Sequence, residues 1–151
     1  MMFCILASGS RGNAVWVEEG DLAVIIDCGL SCREFKARVL AAGLDINKAV
    51  CILISHEHSD HISGVGPLAR ALKIPVLANK ATMAQSAPRL GKICWEKFTT
   101  GALLSLGSLK IKTLPISHDC NDPVCFRLES SAGTLGLATD MCEATNLIRY
   151  E

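Results

Sequence analysis

Between Ser55 and His61 the chain reads Ser-His-Glu-His-Ser-Asp-His. Three of the four histidines, His56, His58 and His61, fall within six residues, with Asp60 among them. Neutral imidazoles and a carboxylate at this density suit a borderline transition metal. In an extended segment side chains alternate, so His56 and His58 point the same way and can grip one ion together. Asp60 and His61 follow where the chain turns into an expected helix. As neighbours they diverge from the first pair, which suits a second ion beside the first. Two ions about 3.5–4 Å apart can hold a bridging hydroxide and clamp the oxygens of a displacement reaction. A solvated polar loop has no need of this spacing.

The elements around the cluster must hold it. Val50-Cys51-Ile52-Leu53-Ile54 is apolar and largely β-branched, which predicts a buried strand ending at the cluster. Open α/β sheets place ligand sites at that edge. Strands are also expected over Cys4–Ala7, Ala14–Val17, Leu22–Ile26 and Pro75–Ala78. Further strands are expected over Ile93–Lys97, Leu103–Leu106, Leu109–Leu114, Val124–Glu129 and Thr134–Ala138. Cys32–Ala42 predicts a helix, capped by Ser31 and stopped by Gly43. A second helix follows the cluster into Pro67–Leu72, a third covers Lys80–Ala87 and ends at Pro88, and a last one covers Glu143–Tyr150. Helices and strands alternate without repeats or linkers, as expected of one α/β domain over 1–151.

Other polar residues fall at strand ends. His118, the fourth histidine, closes the apolar stretch Ile111–Ile116, and Asp27 closes Val24–Ile26. Asp140 follows the strand expected to end at Ala138, where an aspartate can equally serve a turn or a helix cap. Ser8-Gly9-Ser10-Arg11-Gly12-Asn13 is rich in backbone amides able to face an anion, and turn chemistry accounts for it equally well. Gly64 and Gly66 either let the backbone pass close to the cluster or mark the broken start of a helix. Asp119 and Asp122 either brace the loop after His118 or approach a substrate.

Half of the residues are hydrophobic and only 5% aromatic, so the core is expected to be built of Leu, Ile, Val and Ala. Formal net charge is zero, so no global positive field recruits a polyanion, and any attraction must be local. No apolar run approaches the ~20 residues of a membrane span. The start, Met1-Met2-Phe3-Cys4-Ile5-Leu6-Ala7, is short and lacks a basic flank, so it does not read as a signal peptide. Eight cysteines occur without a C-x-x-C pair, several inside apolar runs. They read as buried reduced thiols and imply a cytoplasmic protein.

The pattern His56-x-His58-x-Asp60-His61 after an apolar strand resembles the signature of the metallo-β-lactamase fold superfamily. The likeness extends along the chain. Leu6-Ala7-Ser8-Gly9-Ser10-Arg11-Gly12-Asn13-Ala14, Ile26-Asp27-Cys28-Gly29-Leu30-Ser31, Ser55 to Val65, Ile116-Ser117-His118-Asp119 and Thr139-Asp140 all resemble its YycJ/WalJ-like branch, in order. The resemblance implies an αββα sandwich and two divalent transition metal ions, Zn²⁺ or Mn²⁺. It assigns His56, His58 and His118 to the first ion, Asp60 and His61 to the second, and Asp140 as a bridge. Asp27 would orient motif residues through hydrogen bonds. Asp60 would also orient or deprotonate the attacking water, whose pKa such ions lower toward ~7. The implied activity is that of a phosphodiesterase, a 5′-to-3′ exonuclease with DNA as its partner. The same fold hosts hydrolases of thioesters, lactones and cyclic phosphodiesters, so another such activity competes.

Two departures from the family pattern stand out. Met141-Cys142 occupies the turn after Thr139-Asp140 where relatives usually carry glycine, and Cys142 is either a bystander or a thiolate ligand. Relatives also run well past this length and draw a further histidine for the second ion from that later region. The expectation is therefore a C-terminally truncated sandwich with an incomplete second site, and an inactive metal-binding remnant is a third reading.

Overall fold

A computed structural model describes residues 1–143. The chain opens with an antiparallel meander of β1 (Met2–Ala7), β2 (Ala14–Glu19) and β3 (Leu22–Ile26). α1 (Cys32–Ala41) then crosses to β4 (Ala49–Leu53), which lies parallel to β3. Two short helices, α2 (Ser59–Ile62) and α3 (Val65–Leu72), lead to β5 (Val76–Asn79), and α4 (Lys80–Leu90) leads to β6 (Trp95–Phe98). These six strands form one sheet in chain order, β1-β2-β3-β4-β5-β6. The second sheet is an antiparallel meander of β7 (Leu103–Leu106), β8 (Leu109–Pro115), β9 (Val124–Ser130) and β10 (Gly133–Leu137).

Central strands buried on both faces must read as continuous apolar runs, as Ala23-Val24-Ile25-Ile26 and Cys51-Ile52-Leu53-Ile54 do. Alternate residues of these strands serve two separate cores. Trp16, Ile25, Ile52 and Ile54 face α1, α3 and α4, against Phe35, Val39, Leu68 and Leu90. Val15, Val17, Val24, Ile26 and Leu53 face the second sheet, against Leu109, Ile111, Phe126 and Leu128. Each fully buried large side chain contributes roughly 1.5–3 kcal/mol by leaving water. Among the described residues, helices cover only the first sheet, so three of the four expected layers are described. The helix expected over Glu143–Tyr150 lies, beyond Glu143, outside the described residues.

The other elements depart from expectation in two places. The helix after the cluster is broken in two at Ser63-Gly64. A Cβ on Gly64 would fall 1.7 Å from the Leu30 carbonyl oxygen, and the Gly64 amide donates to Cys28 O, so the chain is pressed against its neighbour there. The α4 helix does not stop at Pro88 but runs to Leu90. Proline in a last turn forfeits a single hydrogen bond. Buried Leu90 offsets that loss, and Arg70 Nη1 holds its carbonyl at 2.7 Å.

Candidate metal centre

The cluster sits just beyond the carboxyl end of β4, and three backbone bonds pin it from outside. Asn13 N donates to Asp60 O at 2.7 Å, Cys28 N to His61 O at 2.7 Å, and Val124 N to Ser55 O at 3.0 Å. The last of these ties the motif to the second sheet. Gly29 packs so closely that a Cβ would stand 1.8 Å from the Asp60 carbonyl oxygen, so only glycine leaves room for the loop. His118 comes from the β8–β9 connection, and Asp140 follows β10. Among the described residues, two of the three non-glycine positions with positive φ are at the site, Asp27 (58°) and Asp140 (52°). Aspartate is among the residues that tolerate this left-handed region best.

Four imidazoles converge. The His56 ring centroid lies 4.1 Å from that of His61, 4.7 Å from His58 and 4.8 Å from His118. Ligand atoms of His56, His58 and His118 all lie within 4.8 Å of one another, and so do those of His56, His61 and Asp140. His118 Nε2 stands 3.1 Å from His58 Nδ1, and Asp140 Oδ2 stands 2.6 Å from His61 Nε2 and 3.6 Å from His56 Nε2. The structure thus brings together His56, His58, His61, His118 and Asp140. Asp60 takes a side position, its Oδ2 3.6 Å from His61 Nε2 and 3.2 Å from the Asn13 amide nitrogen.

The donor set fits divalent cations. His56 is fully buried, its Nδ1 lies 2.9 Å from Ser55 Oγ, and its Nε2 has no hydrogen-bond partner. A buried unpartnered nitrogen is costly unless something meets its lone pair. Here it faces two more imidazoles and a carboxylate, all of which offer electron pairs. Imidazole-rich sites of this kind suit Zn²⁺, and the carboxylates suit Mn²⁺ as well. Asp27 supplies the support from behind. Its Oδ1 accepts from Ser55 N at 2.8 Å and its Oδ2 from Ser55 Oγ at 2.6 Å, with His61 Nδ1 at 2.8 Å. A proton on His61 Nδ1, held by that carboxylate, leaves Nε2 as the lone-pair end.

Burial on one side and neighbouring carboxylates on the other move the two buried histidines apart in the metal-free protein. Burial, reinforced by His61, pulls His56 from 6.5 down to about 4. Burial opposes charge on His61 too, but Asp27, Asp60 and Asp140 outweigh it and the net direction is up. Between about 4 and 6.5 the unfolded chain binds more protons at His56 than the folded one. His56 therefore contributes stability that is complete above 6.5 and lost as pH falls through about 4. His61 has the opposite sign, contributing below 6.5 and losing that contribution as pH rises through its elevated value. Chelator-treated protein is expected to lose stability between pH 6.5 and 4, and His56→Gln to flatten that limb, in urea unfolding followed by circular dichroism across pH. An unchanged limb in His56→Gln would remove His56 as its source.

Asn13 was not assigned a role from sequence. It is buried; its amide nitrogen also donates to Gly9 O at 3.2 Å and stands 3.0 Å from His61 Nε2. Its Oδ1 accepts from Gly9 N at 3.0 Å. One side chain thus ties the Ser8–Gly12 loop to Asp60. The readable signal is an Asn that ends a Ser/Gly loop just before a strand, at a position too buried for ordinary turn use. Asp119 and Glu57 brace the opposite rim. Asp119 lies 3.1 Å from His118 Nδ1, and Glu57 Oε1 accepts from both Asn121 nitrogens, at 3.2 and 3.0 Å. Asp122 turns away to Thr100 Oγ1 at 2.8 Å. Cys142 is exposed, belongs to neither converging ligand group, and donates its backbone N–H to Ser117 O at 2.8 Å.

Residues 7–129 match the Metallo-beta-lactamase superfamily. The chain is 36% identical over 141 residues to Exodeoxyribonuclease YycJ of Bacillus anthracis, covering 91% of this chain and 53% of that protein. It is 33% identical over 143 residues to Exodeoxyribonuclease WalJ of Streptococcus pneumoniae serotype 2, with the same coverage, 91% and 53%. The chain therefore spans about half the length of the curated relatives it matches. A solved metallo-β-lactamase of Cronobacter sakazakii superposes with a TM-score of 0.76 at 18% identity, covering 86% of this chain and 58% of that one.

Proposed function

The chain belongs to the metallo-β-lactamase superfamily, and from that premise we propose that it is a metal-dependent phosphodiesterase that degrades DNA from a 5′ end. The observation that carries the proposal is its likeness to two exodeoxyribonucleases across 91% of its own length. In this reading His56, His58 and His118 would hold one divalent ion, and His61, Asp60 and Asp140 a second. When bound, such ions polarise a phosphoryl oxygen and make water acidic enough to attack at neutral pH.

The chain's own groups supply the rest. Asp60 is fixed by Asn13 and partly open to solvent, which suits it to orient the attacking water and take its proton. His61 is locked by Asp27 with one nitrogen turned to the site. The cavity between Asp60, Asp140 and the Ser8–Ser10 loop, about 330 Å³, has room for a phosphodiester. All eight thiols are free, which suits a reducing compartment, and we place the protein in the cytoplasm.

The test is an activity panel on one preparation with Mn²⁺ or Zn²⁺. Loss of nucleotides from the 5′ end of DNA is expected to exceed hydrolysis of thioester and lactone substrates. Robust thioester turnover without DNA degradation would replace the proposal with another hydrolase of the superfamily.

A further inference from the structure

We propose that the Ser8–Arg11 loop seats a second phosphate of the substrate strand, next to the one under attack. The inference rests on the phosphodiesterase reading and adds the path of the strand. Ser8, Gly9 and Ser10 form one wall of the same cavity whose other wall carries Asp60 and Asp140. A second cavity of about 540 Å³ shares Ser8, Gly9 and Ser10 with the first and is also lined by Arg11 and by Glu34 and Arg38 of α1. The loop therefore stands between the metal-ligating groups and this second cavity.

Its donors are free. Among the described residues the Arg11 guanidinium makes no ion pair or hydrogen bond, and neither do the Ser10 and Arg11 amides. The Ser8 and Ser10 hydroxyls are exposed beside them. Ser8, Ser10 and Arg11 line one cavity, and hydroxyls, adjacent N–H groups and a guanidinium are the donors that take an anion. Arg38, in the same cavity, is already committed to Leu6 O at 2.6 Å and Glu34 at 2.7 Å, so Arg11 is the cation on offer. The loop is also held in place. Asn13 grips Gly9 from both sides and reaches Asp60 with the same amide, so the loop donors keep a set distance from the attacking group. Gly9, at φ 139°, adopts a backbone that side chains disfavour.

The opposite rim disfavours the alternative path. Glu57 and Asp119 stand there, against Asn121 and His118. A polyanion is repelled on that side and accepted over the Ser8–Arg11 side. With a net charge of zero the protein has no global field to override this local asymmetry.

The test is fluorescence anisotropy of a single-stranded phosphorothioate oligodeoxynucleotide, which resists cleavage, on the purified 151-residue protein at several salt concentrations. Arg11→Ala is expected to weaken binding about tenfold and to lower the salt slope by about one. Arg11→Glu should weaken it further, Arg11→Lys should restore most of it, and Lys110→Ala, on the outer face of the second sheet, should match wild type. Circular dichroism checks that each variant folds. If wild type binds and degrades DNA but Arg11→Ala and Arg11→Glu bind equally well with the same slope, the loop's role is overturned and the phosphodiesterase reading stands. A wild type that neither binds this DNA nor degrades natural DNA overturns both.

Discussion

Replacing Asp60 by asparagine is expected to lower DNA degradation by roughly a thousandfold or more, with little change in unfolding midpoint. In the proposed mechanism the carboxylate, 3.6 Å from His61 Nε2, would help hold the second ion and handle the proton of the attacking water. Asparagine has nearly the same volume and fits the same space. Its side-chain oxygen can still accept from Asn13 Nδ2, so the local packing survives. The fold does not depend on the charge: the Asp60 main chain holds its place through its carbonyl, which accepts from Asn13 N. Rate and metal content measured on the same sample separate the two losses. A variant with undiminished activity would remove Asp60 from the mechanism.

Asp27→Ala is expected to do the reverse, costing about 3–5 kcal/mol of stability and weakening metal binding about 10–100-fold. Asp27 is 2% exposed and its carboxylate serves three donors, Ser55 N, Ser55 Oγ and His61 Nδ1. Removing it strands all three in the interior and frees the His61 ring to turn. Asp27→Asn refines the test. Asparagine accepts the positive φ of this position as readily as aspartate, so the backbone is not disturbed. Its NH₂, however, must replace either Oδ1, which faces Ser55 N, or Oδ2, which faces Ser55 Oγ and His61 Nδ1, and each of these already donates. Urea unfolding and a competitive metal indicator read the two effects. Wild-type stability and affinity in both variants would mean that Asp27 does not support the site.

The strands were legible because most are buried on one or both faces. Leu22–Ile26 and Leu103–Leu106 match their predicted bounds, and the others shift by one or two residues at their ends. The convergence of the four histidines and Asp140 was legible because they fall where apolar strands end. Asp60's side position was not, since it depends on Asn13, which is 47 residues away in sequence. Nor was the break between α2 and α3, which follows from the Leu30 carbonyl pressing on Gly64. Pro88 misled for a local reason: a proline signals a helix stop, but burial of Leu90 and its bond to Arg70 carry the helix past it. Of the two uses expected of Gly64, it marks the broken helix start; its close approach is to Leu30 and Cys28, not to the histidine cluster.

The central claim is that His56, His58 and His118 form the stronger of two adjacent cation sites. Calorimetric titration of the metal-free 151-residue chain with Zn²⁺ tests it most directly. The first group offers three imidazoles, one of them with a buried unpartnered nitrogen. The second group shares His56 with the first, and Asp60 stands to one side of it. One tightly bound ion per chain is expected, with a second at least tenfold weaker and loss of the tight ion in His118→Ala. A chain that binds no ion, or a His118→Ala variant that titrates like wild type, would contradict it. Two equally tight ions would contradict the ranking of the sites and direct attention to Cys142 as an added ligand.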